Sequence, residues 1–222
     1  MDVSIFDVTG PIMIGPSSSH TAGAAKLARI ARQIVGVPFT HVSFGLYGSF
    51  AKTYQGHGTD KALVAGALGL REDDERLREA FYLAKKEGLT FDFYETDLDG
   101  MHENSVKITF FRTDGLKTEI IGSSIGGGQI IIKYIDGFET EVTAQSPTLV
   151  IRQYDRKGVV SDISAVLANN NINIGIMKLS RLAKGKVAST IIETDDMIPY
   201  KVVESLGRLE NVISVKAIES SV

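Results

Sequence analysis

Apolar positions along the chain follow two periods. From 21 to 35 (TAGAAKLARIARQIV) they recur at helical spacing, with Leu27, Ile30, Ala31 and Ile34 on one face, and Gly36-Val37-Pro38 ends the run. His41 to Tyr47 alternates instead around Val42, Phe44 and Leu46, the pattern of a half-buried strand. Helices are predicted again over 59–70, rich in Ala, Leu and Val, and over 73–87. The latter begins with acids and ends at Lys85-Lys86, as the helix dipole favours. Strands are predicted near 90–96, 105–113, 117–122 and 129–135, with a further strand-like stretch ending near Val142. This first part is predicted to be a mixed α+β domain.

Gln145-Ser146-Pro147 reads as a short linker, because proline disfavours helix at the residue before it. The expected domains are therefore 1–145 and 148–222. In the second, TLVIRQY (148–154) reads as a strand, and a helix follows with Val160, Ile163 and Leu167 on one stripe. Asn169-Asn170-Asn171 stops that helix, and two β-rich runs start at 172 and 186. Pro199 is placed in the first turn of a second helix, with Val202, Leu206 and Leu209 on its buried side, and 211–220 supplies a last strand. The order βαββαβ folds as two helices on one face of a four-stranded antiparallel sheet, the ferredoxin-like arrangement.

Composition narrows the function classes. The 222 residues carry 24 basic and 27 acidic side chains, a net −3 that argues against a nucleic-acid partner. Apolar runs such as Ile130 to Ile132 are too short to span a bilayer, so no membrane partner is expected. Met1-Asp2-Val3-Ser4 lacks the basic and apolar pattern of a signal peptide, and a cytoplasmic location is the expectation. The absence of cysteine is the most restrictive number. It excludes disulfides, thiolate catalysis and a conventional iron–sulfur cluster held by this chain alone.

Four polar or glycine-rich segments exceed what packing requires. Gly15-Pro16-Ser17-Ser18-Ser19-His20-Thr21 precedes a helix, where hydroxyls, an imidazole and free N–H groups suit a carboxylate or oxyanion; capping explains only one of the hydroxyls. Gly56-His57-Gly58-Thr59-Asp60 also precedes a helix, and reads either as a ligand-approach loop or as a turn with a solvent-facing His. His102-Glu103-Asn104 lies in a turn between strands, for which a plain polar turn is the simpler reading. Gly122-Ser123-Ser124-Ile125-Gly126-Gly127-Gly128 reads as an anion-cradling nest or as a bulged hairpin. His41, at a strand entrance, reads as structural. The glycines match neither the P-loop nor the dinucleotide fingerprint, and His20, His57 and His102 have no local zinc-ligand spacing, so zinc is a minor alternative and no metal site is assigned to this chain.

Two resemblances organise these segments. The βαββαβ order, the Asp155-to-Gly158 loop and NNNINI (169–174) resemble the ACT domain, a small amino-acid-binding module. The likeness implies a ligand near the first strand–helix loop, making Asp155 and Gly158 candidates, or else a domain that serves self-association or subunit contact. GPSSSHTAGA (15–24), GSFAKTYQGHGTDKALVAG (48–66), MHENS (101–105) and SIGGGQI (124–130) resemble the β-subunit family of bacterial iron–sulfur L-serine dehydratases. Their first domain is related to the intervening domain of some phosphoglycerate dehydrogenases.

The second resemblance implies conversion of L-serine to pyruvate and ammonia. The 4Fe-4S cluster, a Lewis acid towards the substrate hydroxyl, would be held by a Cys-containing α subunit. It makes His20 the first candidate for proton transfer, with His57 and His102 behind it. Ser17, Ser18, Ser19, Thr21 and Asn104 become candidates for substrate binding or for orienting His20. A purely regulatory amino-acid-binding subunit, with all chemistry in the partner, fits the same hydroxyl-rich helix terminus. A stand-alone Ser/His hydrolase is a third, weaker option. Because no residue here ligates a cluster, anaerobic reconstitution of the isolated chain with iron and sulfide is expected to leave it colourless and inactive towards L-serine. Visible absorption spectroscopy checks this, and a stoichiometric cluster on this chain would refute the division of parts.

Overall fold

The computed structural model describes residues 14–220 and divides into two compact units, one ending at Lys133 and one beginning at Tyr134. Met1–Ser4, read above for targeting, lies outside the described residues. The first unit opens with a π-helical turn, Ser18–Gly23, that runs into helix α1 (Ala24–Val35). Strand β1 (Phe39–Leu46) follows, then a short helix α2 (Ser49–Thr53) absent from the hydrophobic pattern. Helix α3 (Thr59–Leu68), a 3-10 turn (Glu75–Glu79) and helix α4 (Ala80–Glu87) precede the remaining strands. These are β2 (Thr90–Glu95), β3 (Ser105–Arg112), β4 (Lys117–Gly126) and β5 (Gln129–Ile135), whose last residues pass into the second unit, where β6 (Phe138–Val142) follows. The sheet order is β2-β1-β3-β4-β5-β6, with β1 parallel to β2 and antiparallel to β3.

Burial follows the two periods. On β1 the alternate residues Val42, Phe44 and Leu46 are buried, and on α1 the buried stripe includes Leu27, Ile30, Ala31 and Ile34. Each large apolar side chain taken out of water this way contributes roughly 1.5–3 kcal/mol. Helices α1 and α3 approach closely because Gly66 has no side chain. A Cβ there would lie 2.2 Å from the Ala25 carbonyl oxygen and 2.8 Å from the Arg29 amide nitrogen. The helix expected over 73–87 is broken instead. The Asp74 carboxylate accepts from the Arg76 amide at 2.9 Å and pairs with its guanidinium, which tightens the first turn to 3-10 geometry, and α-helix begins only at Ala80. The glycine-rich segment 122–128 is strand as far as Gly126 with a tight turn beyond, so its serines sit on β4.

The second unit contains β7 (Thr148–Tyr154), α5 (Val159–Ala168), β8 (Ile174–Arg181), β9 (Val187–Thr194), α6 (Tyr200–Gly207) and β10 (Val212–Ile218). Its sheet order β10-β7-β9-β8, with each described pairing antiparallel, is the expected ferredoxin-like arrangement. Leu149, Ile151 and Ile192 meet Val159, Ile163, Leu167, Val202 and Leu206 in one core. Two local readings change. Val159 replaces Val160 on the buried stripe, because α5 starts directly after Gly158 and the i, i+4, i+8 line runs Val159, Ile163, Leu167, leaving Val160 exposed. Pro199 is the N-cap of α6 and not part of its first turn, its carbonyl accepting from the Val202 amide at 2.9 Å.

Strand β6 packs on the sheet of this unit. The Arg152 guanidinium lies 3.9 Å from the centroid of the Phe138 ring and donates to the Ile135 carbonyl at 2.8 Å, and Lys178 pairs with Glu139 at 3.3 Å. That cover explains why Val150, on the strand face opposite Leu149 and Ile151, is also buried. The packing of α1 on α3 makes one prediction. Gly66→Ala, which should favour an isolated helix, is expected to destabilise the protein by at least about 1–3 kcal/mol, because the added carbon strikes backbone. Urea denaturation checks this, and unchanged stability would contradict the close approach.

Candidate functional site

The site forms where α1 begins and β1 ends. Ser17 adopts extended backbone and its Oγ accepts from the His20 amide at 3.1 Å, which caps the π-helical turn. The amides of Thr21 and Ala22 both donate to the Ser17 carbonyl, at 3.1 and 3.3 Å. The widened turn throws His20 towards the end of β1 and not along the axis of α1, a use typical of π-bulges. Gly23 lets the turn lie on β4, since a Cβ there would be 2.0 Å from Ser124 Oγ.

Both imidazole nitrogens of His20 meet hydroxyls. Nδ1 is 3.2 Å from Ser19 Oγ, Nε2 is 3.0 Å from Ser49 Oγ, and Ser19 Oγ is 3.4 Å from Ser17 Oγ. The ring of buried Phe50 stands edge-on at 5.3 Å between centroids, and the His57 ring lies at 5.0 Å. The Thr21 hydroxyl donates to the His57 carbonyl at 3.0 Å, tying the SSSHT turn to the Gly56-His57-Gly58 loop. Beside that loop is an open cleft of about 630 Å³, lined in part by Thr21, His57, Asp60, Lys61 and Arg78. Desolvation by burial raises the Asp60 carboxyl above its ordinary value, against the opposing pull of the Lys61 amide at 2.8 Å.

The His102-Glu103-Asn104 turn joins the same site through its backbone. The Glu103 carbonyl accepts from the amides of Ser49 and Phe50 at 2.8 and 3.4 Å. His102 is exposed, with Nδ1 accepting from the Asn104 amide at 3.1 Å and its carbonyl accepting from the Ser105 hydroxyl at 2.5 Å. The Asn104 carbonyl accepts from the Ser124 amide at 3.0 Å, while Asn104 Oδ1 and Ser124 Oγ are buried polar atoms without a hydrogen-bond partner among the described residues. Thus His20, Ser17, Ser19, Thr21 and His57 converge directly, and Ser18 sits partly buried on the same turn. His102 and Asn104 belong to the turn that holds Ser49. Asp155 and Gly158 lie in the second unit. There the Asp155 carboxylate accepts from Arg181 at 2.9 Å and from the Gly185 amide at 2.8 Å, contacts that hold it below the usual carboxylate range. Gly158 has φ 91°, and the space where its Cβ would be is open.

Ser49 and Phe50 were not named as site residues from the sequence, although both lie in the family-like segment 48–66, and Ser124 was noted only as part of the glycine-rich segment 122–128.

The serine dehydratase beta chain family model matches residues 4–134, and the ACT domain model matches 148–211. The chain is 40% identical over 215 residues to the probable L-serine dehydratase beta chain of Bacillus subtilis (strain 168), spanning 97% of each. The chain belongs to the serine dehydratase beta chain family. It is also 40% identical over 219 residues to the L-serine dehydratase beta chain of Peptoniphilus asaccharolyticus, covering 98% of this chain and 99% of that one. A D-3-phosphoglycerate dehydrogenase of Bacillus subtilis is 28% identical over 88% of this chain and 37% of its own length. Family membership and this kinship agree with the expected combination of an α+β first domain and a C-terminal ACT domain.

The electrostatics of His20 give a prediction. Desolvation by burial, followed by the neighbouring His57, lowers its pKa from the ordinary 6.5, against a smaller opposing pull from Glu103. The neutral imidazole therefore persists to lower pH than in a free histidine. The unfolded chain binds the proton more readily than the folded one, so His20 contributes a loss of stability as pH falls from 6.5 towards the depressed folded value. NMR titration of the histidine ring protons, with His20 assigned through His20→Asn, is expected to give it a midpoint below 6.5. A midpoint at or above that value would overturn the balance of burial over Glu103.

Proposed function

We propose that this chain is the β subunit of an iron–sulfur L-serine ammonia-lyase that, with a cluster-bearing α subunit, converts L-serine to pyruvate and ammonia, and that it supplies His20 as the base. Full-length similarity to two L-serine dehydratase beta chains supports the reaction class. The observation that carries the role of His20 is its placement: a partly buried imidazole held between hydroxyls at a helix head, next to His57 and Thr21, which line an open cleft. Carboxylate binding by the N–H groups and hydroxyls of the Ser17–Ser19 turn brings the substrate Cα to the imidazole. His20 takes the Cα proton, the β-hydroxyl leaves as water, and the resulting enamine tautomerises and hydrolyses to pyruvate and ammonia. A histidine is suited to the first step because its neutral form is available near neutral pH without assistance. His57, 5.0 Å from His20 between ring centroids, adds a second imidazole that opposes charge on the first.

The residues of this chain do not fit a 4Fe-4S cluster. There is no cysteine, and among the described residues no group of three or more His, Cys, Asp or Glu is placed to hold a metal. In this reading the cluster is ligated by cysteines of the α subunit. Among the described residues no helix is long and apolar enough to cross a membrane. A cytoplasmic heteromer is part of this proposal. The second unit is read as an ACT domain that serves self-association and takes an amino acid near Asp155 and Gly158. The domain limits 1–145 and 148–222 are kept in this proposal, although the compact unit that holds the ACT sheet begins earlier, at Tyr134, and includes β6.

Removing a general base typically costs 10² to 10⁴-fold in rate. His20→Asn, assembled with the α subunit and carrying intact cluster, is therefore expected to lose at least about 100-fold in turnover number with assembly unchanged. Activity within about tenfold of wild type would remove the base from His20, and favour His57, His102 or a purely regulatory subunit.

A further inference from the structure

The two hydroxyls that flank His20 are not equivalent. Ser19 is its chain neighbour, its Oγ is 3.2 Å from Nδ1, and it is shared with Ser17 at 3.4 Å. Rotation about one side-chain bond frees Nδ1. Ser49 reaches Nε2 from 29 residues away, at 3.0 Å, and its backbone is pinned on every side. Its amide donates to the Glu103 carbonyl at 2.8 Å, its own carbonyl accepts from the Thr53 hydroxyl at 2.8 Å, and the next residue is the fully buried Phe50. Gly48 makes this possible with φ 60° and ψ −123°, and a Cβ there would lie 2.6 Å from the Glu103 carbonyl oxygen.

We propose that Ser49 is the positioning residue of His20: its hydroxyl accepts the Nε2 proton, fixes the ring, and leaves Nδ1 as the nitrogen that receives the substrate's Cα proton once Ser19 turns aside. The inference rests on the reading of His20 as the base. An acceptor at Nε2 makes Nδ1 the unprotonated nitrogen of the neutral ring, and it stabilises the imidazolium after the proton arrives. A hydroxyl does this without the full charge of a carboxylate. The charged or titratable groups acting on the ring are His57, which opposes protonation, and Glu103, which favours it.

The test has two arms. Long-range proton–nitrogen NMR of the full chain, labelled at its four histidines, is expected to show His20 as the Nε2–H tautomer. Ser49→Ala should give a tautomer mixture, and Ser49→Thr should restore the single form. An Nδ1–H tautomer in the wild-type chain would overturn the proposal. In the complex with the α subunit, Ser49→Ala should lower kcat about tenfold or more and leave KM within about twofold, with Ser49→Thr recovering most of the rate. Loss of the acceptor also lowers the pKa of His20, so the acidic limb of the kcat/KM profile should move to lower pH. Ser49→Ala with normal kcat and an unmoved profile, beside a His20→Asn variant that is about 100-fold slower, would remove Ser49 and leave the base in place. If His20→Asn keeps its activity, the base reading fails, while the tautomer measurement still decides whether Ser49 sets the ring.

Discussion

The amides of Ser49 and Phe50 donate to one acceptor, the Glu103 carbonyl, at 2.8 and 3.4 Å, and so join the end of β1 to the start of β3. These strands are sheet neighbours, but their ends are separated in sequence by three helices and a strand. The contact needs Gly48, whose missing Cβ leaves room for Glu103. With the joint closed, Phe50 is driven into the core and Ser49 faces the head of α1. His20 then finds a partner for Nε2, and its π-helical turn settles on β4 through Gly23 and Ser124. Three polar segments that look unrelated along the chain, SSSHT, GSF and HEN, thereby become one site.

The electrostatic character of that site follows from what surrounds the imidazole. In a Ser-His-Asp triad a carboxylate holds the ring and favours its cation. Here both nitrogens meet hydroxyls, a second imidazole lies alongside, and burial lowers the pKa of His20. Burial and the neighbouring imidazole thus favour the neutral ring over the imidazolium. Buried polar atoms nearby, Asn104 Oδ1 and Ser124 Oγ, have no hydrogen-bond partner among the described residues, so this joint carries more polar capacity than those residues consume.

The second unit shows packing working against a simple reading of strand pattern. β7 and β9 are buried on both faces, because helices α5 and α6 cover one and β6 lies on the other, with Arg152 stacked on Phe138. Asp155 closes the opposite end by bonding Arg181 and the Gly185 amide, which ties the strand–helix loop to the β8–β9 turn. That loop is therefore held in shape by a carboxylate that is already engaged.

Much of this was determined by sequence alone. Period-2 and period-3.6 patterns placed the long elements, since burial of one face is a local property of spacing, and the βαββαβ order of the second unit follows from them. The absence of cysteine by itself excludes a conventional iron–sulfur cluster held by this chain alone. The hydroxyl-rich turn at His20 was legible because capping needs one hydroxyl and several were present. The short helix Ser49–Thr53 was not legible, because five residues carry too little periodicity to register. Nor was the break at Asp74, where a side chain two residues from its partner outweighed helix propensity. Val160 and Val159 exchanged places because the phase of a helix is set by where its first residue starts. Above all, the pairing of Ser49 with His20 was decided by tertiary structure, because it spans 29 residues and depends on a backbone turn that only the closed sheet stabilises.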